Sequence, residues 1–171
     1  NTVVVDSGKQ SDVYGGLPRY FSGETYVKLA DVESPGSYRQ TKLYRRSLVM
    51  IPAESGSGYY VDWFRVIGGN DHYYSFHGAE GTVHTDGLDL RRQETGTYAG
   101  ADVPYGHAYD AGNHTVPMYR GSGFHYLFNV ERDDEPKQGF SVEWNIQDTW
   151  HVLSEDTDIR LRLIMLNDVD D

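Results

Sequence analysis

Apolar and polar residues alternate along much of the chain, and this alternation predicts β-strands rather than helices. In the C-terminal third, apolar side chains occupy every second position at 126–130, 142–147 and 159–163. A period of two is that of a strand with one buried face. No segment sustains the 3.6-residue apolar stripe of an amphipathic helix. The predicted fold is therefore all-β, an antiparallel β-sandwich of roughly eight to ten strands.

The N-terminal half adds strands separated by Gly, Pro, Asn and Asp. These strands are predicted at Thr2–Val5, Tyr26–Val32, Thr41–Ile51 and Tyr59–Ile67. The last of them is apolar on both faces apart from Asp62 and Arg65, which is typical of a central strand covered on both sides. The turn residues 68–71 then lead into an aromatic run at 72–77. This spacing predicts a hairpin in which 59–67 and 72–77 pair with each other.

Two segments lack clear alternation, 11–24 and 92–122, and both are predicted to be loops. The second is long and rich in Gly and Tyr, and loops of that length usually carry function. Tyrosines in such segments can stack on sugar rings, or they can anchor the loop beneath the sheet. The candidates are Tyr14, Tyr20, Tyr98, Tyr105, Tyr109 and Tyr119. His107 and His114 of the long loop are candidate ligand contacts.

Length and charge limit the possible partners. The chain has 171 residues, which favours a single domain over 1–171, and a formal net charge of −11. Nucleic acid and anionic membranes are disfavoured as partners, because both attract clusters of Lys and Arg. No apolar run reaches the ~20 residues of a membrane helix. There is no cysteine, so disulfides, thiolate metal sites and cysteine nucleophiles are excluded.

The seven histidines match no zinc-binding pattern. His72 and His77 are five residues apart, so on a regular strand they point to opposite faces and cannot chelate one ion. Histidines that hydrogen bond at strand ends are the simpler interpretation. No metal site is therefore predicted in this chain.

Three stretches together resemble the β-sandwich region of the heparinase II/III-like family of polysaccharide lyases. The opening segment 1–10 resembles the family's His-Asn-Thr-Val-Val-Val-Asp stretch without its first His. The most specific match is 60–69 followed by 72–78. The third match combines 126–130, 140–144 and 161–166. The resemblance spans nearly the whole chain.

Membership of this family implies part of a two-part bacterial enzyme that is periplasmic or extracellular. An N-terminal α/α toroid precedes the β-sandwich, and the pair cleaves acidic, uronate-containing polysaccharides by β-elimination. The family's catalytic Tyr and His belong to the toroid, and some members bind zinc. Its His-x-His-x-Asp segment is absent here. The chain is thus interpreted as an interior or C-terminal piece with no catalytic residues and no cofactor of its own, while zinc stays possible in the full-length parent.

Three side chains are the predicted substrate contacts, because they lie in or beside the most specific match: Arg65, His72 and His77. The alternative for Arg65 is a structural ion pair with an acidic neighbour. An anionic substrate favours a basic surface, and further arginines could supply one: Arg45, Arg46, Arg91, Arg92, Arg160 and Arg162. The alternative function is a non-catalytic carbohydrate-binding or structural module.

Overall fold

The computed structural model describes residues 2–12, 15–53, 57–106, 121–155, 157–167 and 169. Within these ranges there are eleven strands, one short 3-10 helix at Gly123–Tyr126 and no α-helix. The strands are β1 Thr2–Val5, β2 Leu17–Gly23, β3 Lys28–Glu33, β4 Leu43–Pro52, β5 Gly58–Ile67, β6 His72–Ser75, β7 Gly81–Asp86, β8 Arg91–Arg92, β9 Glu131–Arg132, β10 Ser141–Ile146 and β11 Ile159–Ile164.

All strand pairs in the described residues are antiparallel, and the all-β prediction is confirmed. The sheets have the orders β2-β3-β4-β5, β11-β10-β7, β1-β6 and β8-β9. The described residues divide into two compact units. The first runs up to Ser75 and includes Gly121 and Ser122; the second contains the rest. The sandwich arrangement and a single domain over 1–171 stay predictions.

The core of the first unit lies beside the β1-β6 sheet. Val3, Val5 and Tyr44 are buried there, and Phe64 packs against them. Each buried valine contributes about 1.5 kcal/mol or more. The Tyr44 hydroxyl donates to the carbonyl oxygen of Val3 at 2.7 Å. Its ring meets that of Phe64 edge-on, with 4.9 Å between centroids. The alternating residues of β4 and β5 thus point one face of the four-stranded sheet into this core.

The predicted pairing of 59–67 with 72–77 is wrong. All ten residues of β5 pair with β4, whereas β6 pairs with β1. The connection leaves one sheet and enters another because Gly68 and Gly69 both have positive φ, 99° and 85°. A Cβ at Gly68 would lie 2.3 Å from the carbonyl oxygen of Gln40. Only glycine fits this close approach of two backbone segments.

Three other sequence predictions need correction. The segment 11–24 contains strand β2, whose Pro, Ser and Gly residues are typical of turns. Strand β7 was not predicted, since its polar and apolar residues show little contrast. Conversely, 126–130 forms no strand: the 3-10 helix ends at Tyr126, and Asn129 has φ of 53°. A left-handed residue interrupts extended backbone, so the alternation there is fortuitous.

The second unit is built around β10, which pairs with β7 on one side and β11 on the other. Its apolar face carries Trp144, whose ring lies 5.5 Å from that of Phe76 between centroids. Gly78 lies against the same indole, and a Cβ there would be 2.4 Å from the indole nitrogen. Near the 3-10 helix, Tyr98 meets Phe124 edge-on.

Candidate functional site

One face of the four-stranded sheet collects exposed aromatic and charged side chains. The ladder pairs place the odd-numbered residues of β3, β4 and β5 on this face, together with Leu17, Tyr20 and Ser22 of β2. We call it the Trp63 face. The opposite face, which carries Tyr44 and Phe64, points to the core of the first unit. The register therefore separates a structural face from an accessible one.

The centre of the Trp63 face is a row of four residues that crosses the strands. Tyr20 pairs with Asp31, Asp31 with Ser47, and Ser47 with Trp63. We call this the Ser47 row. The aromatic residues at its ends are exposed, Trp63 by 64 % and Tyr20 by 56 %, whereas Asp31 is only 8 % exposed. Three strand spacings separate the two aromatic residues, about 14 Å between backbones.

The neighbouring row is charged. It consists of Leu17, Glu33, Arg45 and Arg65, and we call it the Arg65 row. Two of its charges are neutralised by ion pairs. Arg45 binds Asp31 through both ends of its fork, with Nε to Oδ1 at 2.8 Å and Nη2 to Oδ2 at 2.5 Å. Glu33 accepts from Arg19 at 2.8 Å.

Arg65 differs from these arginines. It takes part in none of the hydrogen bonds or ion pairs found among the described residues, and its Nε is buried without a partner. Its guanidinium lies over the indole of Trp63, 5.2 Å from the ring centroid. Stacking of this kind stabilises a cation by about 0.5–1 kcal/mol at an exposed site. The alternative interpretation of Arg65, a structural ion pair with an acidic neighbour, is thus not met within the described part of the chain.

Electrostatics leave this face with surplus positive charge. The hydrogen bonds from Arg45 lower the pKa of Asp31, and the charge of Arg65 lowers it further. Asp31 is therefore ionised near neutral pH and compensates one arginine. Among the described residues of this face, counting Arg19, Arg45 and Arg65 against Asp31 and Glu33 leaves one cation uncompensated. In a chain whose formal net charge is −11, this is a local reversal of sign.

A second ion pair lies on the opposite face, and its charges balance. Arg46 binds Asp62 through Nε at 2.8 Å and Nη2 at 2.7 Å, and the Tyr74 hydroxyl donates to Asp62 at 2.7 Å. Burial raises the pKa of Asp62, but the hydrogen bonds from Arg46 and Tyr74 outweigh it, so the net shift is downward. Burial, together with the bond to Asp62, raises the pKa of Tyr74 to about 12. This cluster stabilises the first unit.

The predicted substrate contacts lie on separate elements. Arg65 is on the Trp63 face, whereas His72 begins β6 in the other sheet of the first unit. The His72 Nε2 lies 2.9 Å from the carbonyl oxygen of Gly68, which fits the interpretation of a histidine that hydrogen bonds at a strand end. His77 is exposed and belongs to the second unit.

Most of the other candidate arginines are held in ion pairs. Glu143 on β10 binds Arg160 at 3.1 Å and Arg162 at 2.5 Å, and Arg160 also pairs with Asp158. The hydrogen bonds from Arg162 and Arg160 lower the pKa of Glu143, and the bond from Arg162 contributes most. His84 pairs with Glu143 in the ladder on this same face. Since each arginine there has an acidic partner, this face carries no surplus positive charge.

The tyrosines that the sequence places in loops occupy different environments. Tyr20 lies on a strand and is exposed, as a sugar-stacking role requires. Tyr98 is structural, because its ring packs on Phe124 and beneath the guanidinium of Arg132. Tyr105 meets the ring of Phe128 edge-on, with 5.3 Å between centroids. The remaining candidates of the predicted loops lie outside the residues that the structure describes: Tyr14, Tyr109, Tyr119, His107 and His114.

The Trp63 face can bind a ligand that combines an apolar ring face with an acidic group. Trp63 offers π-surface, and Arg65 offers N–H donors for a carboxylate or sulfate. Arg65 and Tyr20 are candidate contacts from the sequence alone, whereas Trp63 and Ser47 are recognised only in the structure. The spacing of Trp63 two residues before Arg65 could have indicated that pair, whereas Ser47 is recognisable only from the register.

Within the described ranges, no three His, Asp or Glu side chains gather as ligands for a metal ion. The described part of the chain also contains no helix that is long and apolar enough to cross a membrane. Comparisons with protein-family models, with curated proteins and with solved structures found no match.

Proposed function

We propose that this chain is the β-sandwich region of a heparinase II/III-like polysaccharide lyase and contacts an acidic polysaccharide through the Trp63 face. The sequence resemblance to that family supports the assignment. The observation that carries it is the exposed Trp63 stacked with Arg65, a cation without an ion-pair partner in the described residues. A cation beside an open aromatic ring suits a uronate, whose sugar ring stacks while its carboxylate is neutralised.

In this function the chain forms part of the substrate cleft and does not supply the reacting groups. β-Elimination needs a base to remove the proton next to the uronate carboxylate and an acid to protonate the leaving oxygen. The N-terminal α/α toroid of the parent would supply these groups, and zinc would belong to that parent. The site of action would be periplasmic or extracellular, where acidic polysaccharides are met.

The binding test is calorimetric titration with heparin, heparan sulfate, alginate and chondroitin at low salt, with a neutral glucan as reference. Trp63→Ala and Arg65→Gln are each expected to weaken binding of at least one acidic polymer by about tenfold, the effect of losing ~1.4 kcal/mol. Arg160→Gln is the matched control, because it removes an exposed arginine of the second unit. Equal affinity in all three variants would contradict the proposal.

A non-catalytic carbohydrate-binding module is the second candidate. In that function the Trp63 face binds the glycan in the same way, and the carboxylates Asp31 and Glu33 serve only as ion-pair partners of arginines. Both candidates predict glycan binding. They differ in whether the parent protein cleaves the bound polymer.

The cleavage test uses the ultraviolet absorbance of the unsaturated product that β-elimination leaves. The chain by itself is expected to give no time-dependent rise with the four acidic polymers, whereas the parent protein is expected to cleave one of them. A rise from the chain itself that disappears in His72→Ala or His77→Ala would show that the active site is complete within these residues. A parent that binds but cleaves none of the four would favour the module.

A further inference from the structure

A glycan could run in either of two directions on the Trp63 face, along β5 or across the strands. The side chains along these two directions differ in how far they project from the sheet. Along β5, the aromatic residues Tyr59 and Trp63 are separated by Val61, an exposed side chain. Across the strands, Tyr20 and Trp63 are separated by Ser47 and the buried Asp31. Because Ser47 is small and Asp31 is buried in its ion pair with Arg45, we expect a depression between Tyr20 and Trp63, whereas the exposed Val61 fills the space between Tyr59 and Trp63.

From this relief we infer that the acidic glycan lies across the strands, in the Ser47 row, with Trp63 and Tyr20 at its two ends. The inference rests on the proposed function and specifies how the ligand is bound. The distance of about 14 Å between the two backbones requires a ligand longer than one sugar. An acidic oligosaccharide is therefore the ligand class.

The rows on either side of the Ser47 row differ in polarity. The Arg65 row lies on one side, and Ser22, Leu29, Val49 and Val61 lie on the other. Neighbouring rows are about 6.6 Å apart, since they are two residues apart along each strand. A sugar at the Trp63 end of the Ser47 row therefore has Arg65 on one flank and aliphatic groups on the other, and its acidic group is directed to Arg65.

Ser47 is the residue that determines access in this arrangement. Its side chain is small, and it contributes to lowering the pKa of Asp31, which Arg45 neutralises. A larger side chain at position 47 would fill the depression without removing either aromatic ring or Arg65. Residue 47 touches no part of the core described above, because it points to the Trp63 face.

A pair of tyrosine variants tests the direction of the glycan. Tyr20 and Tyr59 are both exposed on the Trp63 face, 56 % and 66 %, but only Tyr20 belongs to the Ser47 row. With a hexasaccharide from whichever of the four acidic polymers the wild type binds, Tyr20→Ala is expected to weaken binding about tenfold. Tyr59→Ala is expected to leave the affinity within about twofold. The reverse pattern would show a glycan running along β5 and would overturn the inference.

A second pair tests the depression itself. Ser47→Phe is expected to weaken binding by at least about tenfold, while Ser22→Phe, on the same face but in the aliphatic row, is expected to change it by less than about twofold. Thermal unfolding of both variants checks that the fold is kept. Equal binding by folded Ser47→Phe and wild type would overturn the inference but leave the proposed function standing. Failure of the wild type to bind any of the four acidic polymers or their hexasaccharides would overturn both.

Discussion

Arg45 and Arg46 are consecutive residues of β4, and each holds an aspartate with a two-pronged ion pair, yet the two pairs differ in their surroundings. Asp62, the partner of Arg46, also accepts from the Tyr74 hydroxyl beside the core. Asp31, the partner of Arg45, has a second cation nearby in Arg65. The third group beside Asp62, the Tyr74 hydroxyl, is neutral, whereas the third group beside Asp31, Arg65, is charged.

This difference shows that the geometry of an ion pair does not indicate its role. The two forks have almost the same distances. What separates them is whether charge is balanced once all neighbours are counted. The Asp62 cluster is balanced and stabilises the fold, whereas the Asp31 cluster leaves a positive charge on the accessible face of the same sheet.

The largest effect is expected from Asp62→Asn. The change removes the carboxylate that Arg46 and Tyr74 share, and because the site is half-buried it should lower the free energy of unfolding by about 2 kcal/mol. Glycan affinity should not change, since Asp62 points away from the Trp63 face. Urea unfolding and calorimetric titration measure the two quantities. Loss of affinity in a folded Asp62→Asn variant would erase the distinction between the two faces.

The matched change on the accessible face, Asp31→Asn, is expected to raise glycan affinity, which Asp62→Asn leaves unchanged. It frees Arg45 to join Arg65, so affinity for an acidic hexasaccharide should rise by about fivefold at low salt. Because the gain is electrostatic, it should shrink as salt is added. Titrations at two salt concentrations check this, and a fall in affinity at low salt would mean that Asp31 itself binds the glycan.

Tyr74→Phe tests the contribution of the tyrosine hydroxyl in the Asp62 cluster. It removes one hydrogen bond to a carboxylate and is expected to cost about 1 kcal/mol at neutral pH. The pKa of Tyr74 is raised from 10.0 to about 12, so its contribution is complete below pH 10 and disappears as the pH rises towards 12. Unfolding of wild type and variant between pH 8 and pH 12 should therefore converge at the alkaline end. A constant difference would exclude ionisation of Tyr74.

The smallest effect is expected from Arg65→Lys. The charge is kept, but the planar guanidinium that stacks on Trp63 is lost. Affinity for the acidic hexasaccharide should fall by only about twofold to threefold, less than in Arg65→Gln, if charge dominates. A loss in Arg65→Lys equal to that in Arg65→Gln would assign the role of Arg65 to stacking.

The sequence predicted strands best where alternation and aromatic content agree. The bounds of β1, β4, β5, β10 and β11 are close to the predicted ones, because apolar residues at every second position report a half-buried strand directly. Which strands pair with each other was harder to predict from the sequence. The residues 68–71 have hairpin composition, but whether such a turn joins neighbours or crosses between sheets depends on contacts such as that of Gly68 with Gln40, which are remote in sequence.

The candidate site was predictable only in part for the same reason. The sequence indicates Arg65 through its position in the most specific match and Tyr20 through its residue type, although it predicts a loop at Tyr20. Ser47 and Asp31 have no local signal. Their role follows from the register of four strands, which brings residues from 20 to 63 into one row.

One irregularity in β2 bears on how the sheet could change in evolution. The register shifts between Pro18 and Tyr20, so that Arg19 is an extra residue in the ladder. Deleting it would leave Tyr20 opposite Asp31, because a bulge takes up one residue without altering the pairing beyond it. A one-residue insertion within β5 would instead move Trp63 and Arg65 to the core side. Length changes in homologous chains should therefore accumulate near position 19 and be excluded from 59–67.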